Sequence, residues 1–213
     1  AFSVSHRAHA STAGIAKLIP SFAGPLMDLE LKALSNSLEQ PKRPLTAIIG
    51  GAKISTKLDL LRNIVQLVDK MIVGGGMANT FLFARGVPIG NSLVEKDLTD
   101  LVQTIESLAA ENSCEIILQT DALIATKLEN GANYQAVELD DISKNAMILD
   151  AGPNSIPMFS NHIRNSKTIL WNGPLGAFEY PPFDTSTKAI AELVGKLSQE
   201  DNLYSIAGGG DTL

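Results

Sequence analysis

Short apolar runs alternate along this chain with longer stretches in which apolar residues recur every three or four positions, and glycines mark most of the junctions. Residues 45–49 (LTAII), 70–73 (KMIV), 115–118 (EIIL), 146–149 (AMIL), 168–171 (TILW) and 203–206 (LYSI) have the length and aliphatic content of strands buried on both faces. Helical spacing is predicted over residues 22–38, 54–68, 77–85 and 96–112, from about 155, and over 185–197. In the fourth of these, Leu98, Leu101, Val102, Ile105, Leu108 and Ala109 fall on one face. The run Gln40-Pro41-Lys42-Arg43-Pro44 ends the first helix, because proline lacks an N–H and restricts the residue before it. Residues 122–139 are less regular, with Gly131 and Asn133 marking a turn between two short strands. Residues 1–20 show no period and are expected to be the tail of another unit.

Strands alternating with amphipathic helices predict an α/β fold, a mainly parallel sheet with helices on both faces. Right-handed crossovers then bring the carboxyl ends of the strands to one rim. Glycines cluster at that rim: AIIGGAK (47–53), MIVGGGMAN (71–79), ILDAGP (148–153), ILWNGPLG (169–176) and YSIAGGGDT (204–212). A strand that ends in glycines and enters a helix leaves backbone N–H groups directed at one place, where an anion can be held. The five turns together are expected to make the whole rim a phosphate-binding edge. Soon after the last of them the chain stops, before the helix that the repeat anticipates, so a truncated unit is expected.

The turns differ in chemistry. No G-x-x-x-x-G-K-[ST] run occurs, and no G-x-G-x-x-G is followed by an acidic residue at dinucleotide spacing, which disfavours a dehydrogenase-like site. Lys53 and Lys57 are four apart behind Gly50-Gly51; if both are helical they share a face beside the helix N-terminus, a setting suited to successive phosphates. A solvated lysine pair is the plainer alternative. Asp211 follows Gly208-Gly209-Gly210 and precedes Thr212. A carboxylate beside a phosphate site needs a cation between them, so Asp211 is either a Mg2+ ligand or a helix N-cap. Asn172 offers an amide to phosphate and Glu179 a carboxylate to ribose hydroxyls. Trp171 and Phe178 are expected to pack, not to stack on a ligand, and His162 to be a satisfied surface histidine.

Composition narrows the partners. A net charge of −6 argues against broad contact with nucleic acid or an anionic membrane. The single cysteine, Cys114, excludes an internal disulfide and is expected to be a packed hydrophobe, which fits a reducing compartment. No apolar run reaches the roughly 20 residues that span a bilayer, and a cytosolic protein is expected.

HRAHAS (6–11), GGAKISTK (50–57), GGGMANTFL (74–82), LDAGP (149–153), WNGPLGAFE (171–179) and GGGDT (208–212) occur in the order and approximate spacing of phosphoglycerate kinase. The chain resembles that family over nearly its whole length. The resemblance implies a three-layer Rossmann-like fold, the nucleotide-binding lobe of a two-lobed kinase that exchanges a phosphoryl group between 1,3-bisphosphoglycerate and ADP to give 3-phosphoglycerate and ATP. It implies a remnant of the substrate-binding lobe at residues 1–20, an interlobe helix at 21–40 and the nucleotide-binding lobe at 41–213. Carried over by motif, Lys53 stabilises the transferring phosphoryl group, with Gly209 and Gly210 also in the catalytic set. Lys57, Asn172, Glu179, Gly209, Gly210, Asp211 and Thr212 bind ADP or ATP, Asp211 binds Mg2+, and Arg7 with His6 binds substrate. A monomer in the cytoplasm, without nucleic-acid or membrane partners, is the corresponding expectation. A non-catalytic nucleotide-binding module is the alternative. This chain departs from the family at Ile148, where glycine is common, and at Thr56, where aspartate is frequent. Backbone or packing contacts are expected at Ile148.

Overall fold

The computed structural model describes residues 4, 7–39, 41–210 and 212, with the backbone alone at 36–39. The chain divides into two compact units, residues 1–42 and 43–213. In the first, a wide π-type turn at Ala10–Gly14 and a 3-10 turn at Ile15–Lys17 precede helix α1 (Pro25–Glu39). The helix starts at Pro25 because proline at the first helical position needs no N–H partner and already has a helical φ. Asp28 and Lys32, one turn apart, form an ion pair at 2.7 Å.

The second unit contains strands β1 (Leu45–Ile49), β2 (Lys70–Val73), β3 (Glu115–Ile117), β4 (Asp121–Ala125), β5 (Tyr134–Glu138), β6 (Met147–Ala151), β7 (Thr168–Asn172) and β8 (Tyr204–Ala207). Its helices are α2 (Leu58–Ile64), α3 (Gly75–Ala84), α4 (Thr99–Glu111), α5 (Ser155–Arg164) and α6 (Thr185–Gln199). A five-stranded sheet runs in the order β3-β2-β1-β7-β8, and all its pairings are parallel. This is the expected three-layer Rossmann-like α/β arrangement. Ile48, Ile72, Ile117, Ile169 and Trp171 pack on Phe159 and Ile163 of α5 and on Ile190, Leu193 and Val194 of α6. Successive strand residues point to opposite faces, so Ala47, Ile49, Met71 and Val73 meet the layer of α2, α3 and α4, where Leu61, Met77, Phe81 and Ile105 are buried. No helix among the described residues is long and apolar enough to cross a membrane.

One strand differs from expectation. The apolar run 146–149 becomes β6, which pairs antiparallel with β4 in a separate three-stranded sheet, β5-β4-β6. Both β5 and β6 run antiparallel to β4 and lie on either side of it, so residues 139–146 carry the chain from one edge of this small sheet to the other. The glycine turn after β6 is thereby removed from the parallel rim, and the rim is narrower than the repeat suggests.

Asp121 at the start of β4 joins this small sheet to α5. Its buried carboxylate accepts the N–H groups of Asn154 and Ser155, both at 2.8 Å, and the Ser155 hydroxyl at 2.5 Å, while Asn154 makes no side-chain cap of its own. The helix is thus capped from a distant strand. Asp121→Ala is expected to lower unfolding free energy by about 2–4 kcal/mol, the cost of leaving buried donors unpaired. An unchanged urea midpoint would contradict this cap.

Candidate functional site

β1 has β2 on one side and β7 on the other, so the direction in which the chain winds reverses between β1 and β7. Beyond the carboxyl ends of two such strands the following segments diverge and leave a crevice. Here the crevice is stitched across. Gly50 N–H donates to Asn172 O at 2.9 Å, Gly74 N–H to Ile49 O at 3.0 Å, and Gly208 N–H to Trp171 O at 2.9 Å. Gly75 N–H donates to Leu175 O at 2.8 Å and Met77 N–H to Gly51 O at 3.0 Å. Several amides expected to point at a ligand therefore serve neighbouring turns instead, because adjacent turns come close enough to satisfy one another.

Lys57 lies at the centre of this junction. Its Nζ donates to Gly50 O at 2.7 Å, Asn172 Oδ1 at 2.5 Å and Asn172 O at 3.3 Å. Asn172 Nδ2 continues the chain to Gly208 O at 2.8 Å. The Thr212 hydroxyl accepts Gly173 N–H at 2.7 Å and donates to Gly208 O at 3.0 Å. Gly173 has φ +95°, and a Cβ there would stand 2.7 Å from the Gly50 carbonyl carbon and 3.0 Å from Lys57 Nζ. Only glycine allows the two turns to approach this closely around the ammonium.

The lysine pair does not share a helical face. Lys53 is extended (φ −140°, ψ 135°), a 3-10 turn follows at Ile54–Thr56, and Lys57 has φ −127°, ψ 17° before α2 begins. Ser and Thr side chains compete with helix here. Thr56 Oγ1 donates to Lys53 O at 2.8 Å, and the Glu95 carboxylate accepts Ser55 Oγ at 2.5 Å and Ser55 N–H at 3.1 Å. Partial burial pushes Glu95 upward, but the Ser55 hydrogen bonds, the backbone at Ile54 and the Lys53 charge together hold it below the ordinary glutamate value. Glu95 thereby pins the turn from which Lys53 projects, exposed, at the rim.

A cavity of about 340 Å³ opens beside the junction. Its walls come from Gly51 and Ala52, from Gly75, Gly76 and Asn79, from Leu93, Gln119 and Leu128, from β6 at 147–150, and from residues 174–180. Glu179 lies exposed in this lining, and Phe178 also borders the space, whereas Trp171 packs in the core and donates Nε1–H to Gly173 O at 2.7 Å. Ile148 contributes to the wall from β6. Sequence reasoning did not single out Asn79, Leu93, Gln119 or Leu128. Asn79 carried a signal, being, with Thr80, one of two polar residues in the GGMANTFLFA helix; Asn79 Oδ1 and Gln119 Nε2 are buried without a hydrogen-bond partner among the described residues.

The other expected site residues are dispersed. Gly209 and Gly210 are exposed on the turn after β8. Arg7 is exposed in the first unit, and His6 and Asp211 lie outside the described residues. Among the described residues no group of three or more His, Cys, Asp or Glu side chains has the arrangement of a metal site. His162 Nδ1 sits 3.0 Å from Lys70 Nζ; burial and that ammonium hold its pKa down against the pull of Glu115. Cys114 is buried, and burial pushes its thiol up to about 11, with Asp69 and Glu115 adding to the rise, as a packed and unreactive cysteine requires.

Asp150 is the most strongly perturbed carboxyl bordering the cavity. It is 1% exposed, and burial pushes its pKa up to about 7; hydrogen bonds from Ser186 and Ala151 oppose the rise and Asp184 adds to it. A carboxyl raised in this way binds its proton more tightly folded than unfolded, so its stabilising contribution is present at low pH and is lost as pH rises towards about 7. The difference in unfolding free energy between the wild type and Asp150→Asn is expected to shift against the wild type as pH rises from about 4 to about 7, by urea denaturation at stepped pH. A pH-independent difference would show that this carboxyl does not titrate there.

A family model described as phosphoglycerate kinase matches residues 1–213. The phosphoglycerate kinase of Rhodospirillum centenum is 51% identical over 213 residues, which is all of this chain and 54% of that protein. That of Methylorubrum populi is 52% identical, over 100% of this chain and 53% of its own length. The structure of phosphoglycerate kinase from Coxiella burnetii matches with a TM-score of 0.90 at 43% identity, covering 99% of this chain and 54% of that one. Phosphoglycerate kinase from Pyrococcus horikoshii OT3 matches with a TM-score of 0.81 at 25% identity, covering 100% and 53%. The chain spans about half the length of the curated relatives it matches.

Proposed function

The chain belongs to the phosphoglycerate kinase family, and we propose on that footing that its rim and cavity hold ADP or ATP for reversible phosphoryl exchange with 1,3-bisphosphoglycerate, giving 3-phosphoglycerate and ATP in glycolysis. Residues 1–20 are then the end of a substrate-binding lobe, with Arg7 and His6 directed to the phosphoglycerate, residues 21–40 the interlobe helix, and residues 41–213 the nucleotide-binding lobe. We assign the protein to the cytoplasm as a monomer.

The observation that carries this reading is the cavity of about 340 Å³ beside a turn cluster organised by one ammonium group at the switch point. Leu93, Leu128, Ile148, Leu149 and Phe178 offer apolar surface to a base, and Glu179 offers a carboxylate to ribose hydroxyls. Phosphates extending from there meet Lys57, Asn172 and the turn of Gly209, Gly210 and Thr212. Lys53, exposed on its pinned turn, meets the phosphoryl group in transit. In the forward direction the bond from the acyl oxygen to phosphorus breaks as one from the ADP β-phosphate oxygen forms, with no proton transfer required of the protein. Catalysis then rests on positioning and on charge placed where the equatorial oxygens develop theirs. Magnesium, when bound, neutralises phosphate charge. Asp211 is the proposed protein ligand, with nucleotide phosphates supplying further oxygens.

Lys57→Ala is expected to weaken MgADP binding by about 10- to 100-fold in titration calorimetry, the range for a hydrogen bond to a charged group. Unchanged affinity would sink that assignment. Lys53→Ala is expected to lower kcat by about 10²- to 10³-fold with a smaller change in nucleotide KM, and equal effects on both constants would remove it from the transition state.

A further inference from the structure

Asp150 has no part in the scheme above, yet it stands behind the wall that carries Glu179. Residues 173–184 leave β7 at Asn172 and enter α6 at Thr185. Asp150, on β6 of the other sheet, meets this loop at both ends. Near its start, a Cβ on Gly176 would stand 2.6 Å from Asp150 Cγ and 2.6 Å from Phe183 O, so the Gly176 backbone lies directly against the carboxylate. Beyond its end, Asp150 Oδ2 accepts Ser186 N–H at 2.9 Å and Oδ1 accepts the Ser186 hydroxyl. Ala151 N–H also donates to Oδ1, at 2.9 Å, and Leu149 O accepts Ala177 N–H at 2.7 Å. A buried carboxylate is costly to desolvate, and an apolar side chain of similar size fills space without that cost. What the carboxylate adds is direction, since its acceptors fix the first turn of α6, where the loop ends, while the group itself packs against Gly176.

We propose that Asp150 is a positioning residue: by holding Ser186 and packing against Gly176 it sets the course of residues 173–184 and hence the place of the Glu179 carboxylate at the cavity. The proposal rests on the nucleotide reading of that cavity. It assigns Asp150 to the sugar end of the ligand, and it leaves the phosphate end to the Lys57 junction.

The test is a titration of the protein with MgADP and, separately, with inorganic pyrophosphate, which has phosphates but no sugar or base. Asp150→Asn is expected to weaken ADP about tenfold, within the range of coupling between linked groups, and to leave pyrophosphate unchanged. In a Glu179→Gln background, the same substitution is expected to cause little further loss, because its effect passes through Glu179. Equal losses for ADP and pyrophosphate, or additive losses in the double variant, would overturn the proposal. If Asp150→Asn does not fold, Ser186→Ala removes only a hydroxyl and is expected to lower the ratio of ADP to pyrophosphate affinity in the same direction; an unchanged ratio would equally overturn it. Failure of the unmutated protein to bind ADP would overturn the nucleotide reading as well, which separates the two outcomes.

Discussion

The Lys57 ammonium at the junction of the β1 and β7 turns is the interaction on which the rest of the site depends. Its Nζ bridges Gly50 O at 2.7 Å and Asn172 Oδ1 at 2.5 Å, and Asn172 passes the connection to Gly208 after β8. A cation withdrawn from water requires acceptors in place, and carbonyl groups gathered at one point repel one another unless a cation lies among them. Lysine and turns thus stabilise each other. The result is a rim whose geometry is fixed at the switch point, where the topology already opens a crevice.

Around this centre the remaining features divide the labour. Glu95 fixes the 3-10 turn that presents Lys53. Asp121 caps α5 from β4, and Asp150 on β6 holds the first turn of α6, where the loop that bears Glu179 ends. The small antiparallel sheet therefore does more than fill a connection. It supplies two buried carboxylates that anchor helix N-termini belonging to the other sheet's layers. Such groups give up hydration in exchange for direction, which accounts for their presence in a core that aliphatic residues otherwise fill.

Much of this was legible in the sequence. The strands at 45–49 and 70–73 match the structure residue for residue, because short aliphatic runs bounded by glycine or proline leave little freedom in their ends. The strand at 146–149 was legible as a strand but not in its pairing, since period and composition do not record which strand becomes its neighbour. The lysine spacing suggested a shared helical face, and local hydroxyl hydrogen bonds at Ser55 and Thr56 replaced it with a 3-10 turn. The cavity wall was least legible. Gln119, Leu128 and Leu93 come from separate connections, and their convergence depends on long-range packing that no local pattern carries.

The central claim is that one ligand is shared by the Lys57 junction and the adjoining cavity. A titration of the isotopically labelled protein with MgADP, followed by backbone amide NMR shifts, tests it most directly. The account predicts perturbations concentrated at residues 50–57, 74–79, 172–180 and 208–212. Perturbations confined to another surface, such as residues 130–134, or none at saturating ADP, would contradict it.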